Sequence, residues 1–263
     1  MNMRLFTFGC SYTNFFWPTW ADIIATDLDI EYQNWGLSGL GNVGIQSRIV
    51  EADMKHRLTP DDMMIVLWSS WSREDRFMCD SWQSGGSVFN NHFYDDHFIN
   101  KYWSWENDVV KNSTAIHMTS KAYKDIIKYQ GSMTVFPSIT NNSDITPFID
   151  KLINKFVNLG DPTSRFYRQH LTMPECFSLT EHKNSRFNGR CNDPHPDVLC
   201  HLSYVENTIY PKIGYKLKDS TKQLFTELQR ELTAVYNPTD SLEILQAKTP
   251  PILAKYNIKK SST

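Results

Sequence analysis

Residues 3–13, MRLFTFGCSYT, run from an apolar, β-forming stretch straight into a Gly-Cys-Ser turn. Met3 to Phe8 reads as a buried strand, because a short apolar run stopped by glycine is what a core strand leaves in a sequence. Beyond the turn, Trp17 to Leu28 (WPTWADIIATDL) sets Trp20, Ile23, Ile24 and Leu28 on one helical face, with Pro18 suited to a first helical turn. Strand, turn and helix then recur. Glu31 to Trp35 is a second strand, leading through the glycine-rich GLSGLGN of residues 36–42 into helical spacing from Val43 to His56. Met63 to Trp68 (MMIVLW) is a third buried strand, ending in Ser69-Ser70-Trp71-Ser72-Arg73. A fourth strand is expected at Met133 to Ile139, with helices at about 106–129, 147–159, 198–210 and 220–235. Strands alternating with helices make an α/β chain, a parallel sheet covered on both faces with its chemistry at the carboxyl ends of the strands.

Two stretches depart from this rhythm. Residues 79–105 are rich in glycine and asparagine yet dense in aromatics, and read as an insertion in a domain covering 1–235; residues 236–263, with Pro238, Pro250 and Pro251, read as a polar tail. With 40% hydrophobic and 21% charged residues the 263-residue chain is of globular composition, and its net charge of -2 gives no basic surplus for nucleic acid or anionic lipid. It has no apolar window of the ~20 residues a membrane span needs, and its first residues lack the apolar core of a secretory signal. Five cysteines, at 10, 79, 176, 191 and 200, are an odd and irregular set, so free thiols in a reducing cytoplasm are expected. Aromatic residues reach 13%, enough that some are expected on a surface, where Trp82 to Trp105 would face either a carbohydrate or a neighbouring protein subunit.

Three loops carry catalytic residue types. Ser11 follows the first strand, Gly39 the second, and Asp193 and His195 come late in the chain. A serine hydroxyl is a weak nucleophile until a histidine takes its proton, and the histidine works best when a carboxylate fixes its tautomer. Backbone N–H groups at Ser11 and Gly39 would hold the oxyanion. Gly39-Leu40-Gly41-Asn42-Val43-Gly44 also matches the dinucleotide pattern Gly-x-Gly-x-x-Gly, but it follows the second strand rather than the first, so no cofactor is expected. Cys176, Cys191, His195, Cys200 and His201 fit no common zinc spacing, and no metal is expected either.

Phe8-Gly9-Cys10-Ser11, Asn34-Trp35-Gly36-Leu37-Ser38-Gly39 and Asp193-Pro194-His195-Pro196, in this order, resemble the motif blocks of the SGNH (GDSL-like) hydrolase superfamily over roughly residues 3 to 235. The wording Gly9-Cys10-Ser11-Tyr12-Thr13, with Trp68-Ser69-Ser70 after the third strand, is similar to a branch found in tailed bacteriophages of cyanobacteria. The resemblance implies a three-layer α/β/α sandwich with a mainly parallel flavodoxin-like sheet. It also implies Ser11 as nucleophile and first oxyanion donor, Gly39 as second donor, His195 as base and Asp193 as its partner. The implied activity is hydrolysis of a small acyl ester such as an O-acetyl group on a glycan, in a host cytoplasm or a virion. Three positions differ from the family pattern. Cys10 stands where the family has aspartate, the acid and base are spaced Asp-x-His rather than Asp-x-x-His with Asn192 at the usual acid position, and no asparagine follows the third strand. Asn42, Ser70 or Ser72 would have to supply the third oxyanion donor, and Asn42 has the matching amide. The alternative is a non-catalytic protein of this fold that binds other subunits through its aromatic insertion and tail.

Overall fold

Arg4–Phe8 (β1), Glu31–Asn34 (β2), Met63–Trp68 (β3) and Ile127–Ser132 (β6) form one parallel sheet in the order β2-β1-β3-β6. The structure is a computed structural model that describes residues 3–70, 72–90, 93–132, 186–191, 193, 195–258 and 260. In β3 all six side chains are buried, as a strand covered on both faces requires. Consecutive strands lie to either side of β1, so the order reverses between β1 and β3, the point at whose carboxyl ends open α/β sheets place their ligand sites.

Helices cover both faces. Trp20–Leu28 (α1), Val198–Tyr204 (α5) and Asp219–Val235 (α6) pack together in one layer, and Asn42–His56 (α2) packs with Trp105–Ala122 (α4) in the other. The architecture is therefore a mixed α/β sandwich of three layers. α1 starts where a capping box starts it: Asp22 accepts the backbone N–H of Thr19 at 2.8 Å, and Trp20, Ile23 and Ile24 go to the core. Pro18 sits just ahead of the cap rather than inside the first turn. α5 continues through a π-helical turn at Val205–Ile209 into Tyr210–Ile213. α6 buries Phe225, Leu228 and Leu232 at helical spacing, each worth roughly 2 kcal/mol of apolar burial.

Three expectations are revised. The helix expected to run to Tyr129 ends at Ala122, and residues 127–132 are a strand: Ile127 pairs with Met64 and Tyr129 with Ile65 across a bulge. The strand expected at 133–139 and the helix at 147–159 lie outside the described residues. The insertion begins earlier than residue 79, because Arg73–Met78 (β4) and Ser81–Ser87 (β5) form an antiparallel hairpin turning at Cys79 and Asp80, both with positive φ. A turn at Val88–Asn90 and the helix Asp96–Tyr102 (α3) follow it. Residues 236–263 are not simply a polar tail, since Leu242–Lys255 (α7) is a helix packed on α6. Pro250 and Pro251 each remove a backbone donor, but Leu245, Ile252 and Leu253 bury themselves, and the Tyr236 hydroxyl meets Thr249 Oγ1 at 2.5 Å. No helix among the described residues is long and apolar enough to cross a membrane.

Candidate active site

Ser11 and His195 stand 184 residues apart in sequence and meet at 2.8 Å, Oγ to Nε2. The other ring nitrogen, Nδ1, lies 2.6 Å from Asp193 Oδ1, and the same oxygen accepts the backbone N–H of His195 at 2.8 Å. A carboxylate only accepts, so Nδ1 carries the proton and Nε2 presents its lone pair to the serine hydroxyl. The short Asp-x-His spacing thus works through an Asx turn that ties carboxylate, main chain and ring together. Asn192 lies outside the described residues. Ser11 is 3% exposed, whereas the His195 and Asp193 side chains are 20% and 13% exposed, so the imidazole opens to solvent more than the serine does.

Each partner is held by its own element. Ser11 sits in the turn after β1, where Thr13 and Asn14 both donate their N–H groups to Cys10 O. The β1 and β2 loops are latched to each other: Asn34 Nδ2 donates to Thr13 O at 2.8 Å, Asn14 Nδ2 to Gly36 O at 3.1 Å, and Leu37 N to Gly9 O at 3.1 Å. The His195 loop is tied down next to α5. Asp197 caps that helix at Cys200 N and also accepts from Phe187 N and Gln229 Nε2, while Trp17 Nε1 donates to Pro196 O at 2.8 Å. The Phe15 ring stacks on the imidazole, 3.9 Å between centroids and 23° between planes, and Tyr12 meets it edge-on. Phe15, Trp17 and Asp197 were not singled out by sequence reasoning. The aromatic run Phe15-Phe16-Trp17, directly after the nucleophile turn, was the available signal.

Gly39 follows β2 on the same sheet edge as Ser11, with φ of 77° in the left-handed region where glycine is favoured. The hairpin closes over it: Ser84 Oγ donates to Ser38 O at 2.7 Å, and Arg73 Nη1 donates to Leu40 O at 3.2 Å. Asp75 of the hairpin accepts Gly41 N at 2.7 Å and Gly44 N at 2.8 Å. A side chain on Gly41 or Gly44 would run into that carboxylate. The amides that a Gly-x-Gly-x-x-Gly loop offers to a pyrophosphate are therefore occupied by the chain's own aspartate. Burial raises the Asp75 pKa, and the two backbone donors pull it back. Among the described residues no group of three or more His, Cys, Asp or Glu side chains gathers as metal ligands do.

Asn42, expected to donate into the oxyanion hole, is bound to the loop after β3 through its oxygen and one of its two amide N–H groups. Its Oδ1 accepts Ser69 N at 2.7 Å and its Nδ2 donates to Ser69 O at 3.2 Å, with the side chain buried in the first turn of α2. Ser70 and Ser72 come next on that loop, their hydroxyls 3.3 Å apart. Asn42→Ala is accordingly expected to leave the buried Ser69 peptide unsatisfied, at about 2 kcal/mol, and to lower the urea midpoint as well as kcat. A variant with unchanged stability and reduced kcat would restore Asn42 as a direct donor.

The chain matches no family model, no curated protein and no solved structure. Its chemistry must be read from the side chains themselves.

One buried group, His201, makes the fold sensitive to acid. Burial pushes the His201 imidazole down to about 3, with Lys260 and His195 adding to the effect. In the unfolded chain this ring titrates near 6.5, so below that value the unfolded state takes up a proton that the folded state refuses. Stability is complete above about pH 6.5 and is lost as pH falls towards the folded value, by about 2 kcal/mol at pH 5. Urea midpoints of wild type and His201→Gln between pH 7 and 5 test this, and equal slopes would refute it.

Proposed function

We propose that the chain is a serine ester hydrolase of the SGNH type that cleaves a small acyl ester through an acyl-enzyme at Ser11. The observation that carries the reading is the continuous relay from Asp193 through His195 to Ser11, at 2.6 and 2.8 Å. In the first half-reaction the Ser11 oxygen attacks the ester carbonyl while its proton passes to His195 Nε2. Asp193 stabilises the imidazolium, which returns the proton to the leaving alcohol. Water repeats the sequence to release the acid. In this reading the N–H groups of Ser11 and Gly39 face the developing oxyanion, and Ser70 at the neighbouring loop supports it, each donor being worth about 3 kcal/mol of barrier. The substrate class proposed is an O-acetyl group on a glycan, the sugar meeting aromatic side chains near the site.

The test is a covalent one. A fluorophosphonate should add once, at Ser11, as located by peptide mass spectrometry, and the protein should release acetate from p-nitrophenyl acetate and from an acetylated polysaccharide. A chain that takes no adduct and turns over neither ester would instead favour the non-catalytic, subunit-binding reading, whose exposed aromatics are Phe77, Phe98 and Tyr102.

A further inference from the structure

Beyond α7 the chain crosses back to the nucleophile loop and delivers one side chain there. Lys260 Nζ donates to Trp17 O at 2.7 Å and to Phe15 O, and pairs with Asp22 Oδ2 at 3.0 Å. An ammonium has three N–H bonds, and all three are used. Asp22 is wholly buried and already caps α1, so this is a built contact rather than a surface pair. Desolvation pushes the lysine pKa down, and Asp22 pulls it back up.

The two carbonyls that Lys260 holds belong to the two residues that hold the His195 loop. Phe15 covers the imidazole face, and Trp17 grips the carbonyl of Pro196, the next residue along. We propose that Lys260 is a positioning residue for His195, locking the Phe15–Trp17 segment so that the imidazole faces Ser11. This rests on the reading of His195 as the general base. The reason it matters is geometric: a displacement of about 1 Å in a reacting group can cost on the order of 100-fold in rate. The lysine touches no reacting atom, and its whole effect passes through the aromatic pair.

The experiment uses the full chain and two readouts. Lys260→Met keeps the length of the stem and removes the donors. Because it also leaves Asp22 buried without its cation, the double variant Asp22→Asn/Lys260→Met is measured beside it. Lys255→Met, which removes only an exposed partner of Glu231, serves as control. With p-nitrophenyl acetate, kcat is expected to fall 10- to 100-fold in both Lys260 variants with KM changed less than twofold, and Phe15→Leu should behave alike. Independently of turnover, the His195 Nδ1 proton should give a low-field NMR resonance in wild type and in Lys255→Met. It should broaden or vanish in the Lys260 variants and in Phe15→Leu. If that resonance and the fluorophosphonate labelling rate persist unchanged in folded Lys260 variants, the positioning role is overturned while the esterase reading stands. If wild type shows the resonance but neither labels nor hydrolyses, the esterase reading fails and the resonance still decides whether Lys260 holds the ring.

Discussion

Ser11→Ala is expected to lower kcat for p-nitrophenyl acetate by about 10⁶-fold, and Asp193→Asn by about 10⁴-fold, with the melting temperature of each close to wild type. The two losses differ because the residues do different things. Without the Ser11 oxygen no acyl-enzyme forms. With asparagine at 193 the nucleophile remains, but the neutral amide lacks the negative charge that stabilises the imidazolium formed when Nε2 takes the Ser11 proton. The structure sharpens this second prediction, since Asp193 Oδ1 also accepts the backbone N–H of His195. An asparagine carbonyl can keep that main-chain bond and preserve the turn, so the loss should appear in kcat rather than in folding. The losses should also fail to add: in the double variant His195 and residue 193 have no nucleophile to activate, and its rate should equal that of Ser11→Ala alone. A purified protein series showing equal rates throughout would remove the proposed mechanism.

The second large effect is on stability. At Gly9 an added Cβ would lie 2.8 Å from Leu67 O and 2.1 Å from Thr13 Oγ1. The threonine can turn away, but the carbonyl belongs to β3 and cannot move without shifting the sheet. Gly9→Ala should therefore cost about 3 kcal/mol, and Gly9→Val, which adds branches at the same point, about 4 kcal/mol or more. For a chain of this size that corresponds to a fall in melting temperature of roughly 10 °C. Urea unfolding of the two variants with unchanged m-value checks it, and a midpoint within error of wild type would mean that the β1 loop and β3 are not packed as described.

How much of this was legible in the sequence differs from element to element. MRLFTF and MMIVLW announce themselves, because strands buried on both faces need unbroken apolar runs, and the parallel sheet follows from their alternation with helices. The end of α4 was not legible. Tyr123, Ile126 and Ile127 continue a helical spacing with no glycine or proline to interrupt it, and only pairing with β3 decides that Ile127 begins a strand. The hairpin was half legible, since REDRFM alone reads as polar surface until Phe77 packs edge-on against Trp82 across the turn. In the site, Ser11, Asp193 and His195 could be picked out by residue type and order. Asn42 had the right functional group for an oxyanion donor, but its bonds to the Ser69 peptide, 27 residues away, are invisible to spacing. The same holds for Asp75 and Lys260, ordinary charges in the sequence whose roles depend on where the hairpin and the returning chain dock.

The distances along the chain that the site must bridge bear on how the proposed activity would be acquired. Ser11 waits for a base 184 residues further on, Trp17 for a carbonyl 179 residues away, and Phe15 for a lysine 245 residues away. Contacts of such separation form only after long loops have closed, so they belong to the slow end of folding. In refolding, the sheet around β1 and β3 can form while the serine is still chemically inert. During synthesis Ser11 emerges 184 residues before His195 and stays without that partner until the His195 loop has followed it. Catalytic competence is then a late signal of folding, and its appearance reports that both distant ends of the fold have come home.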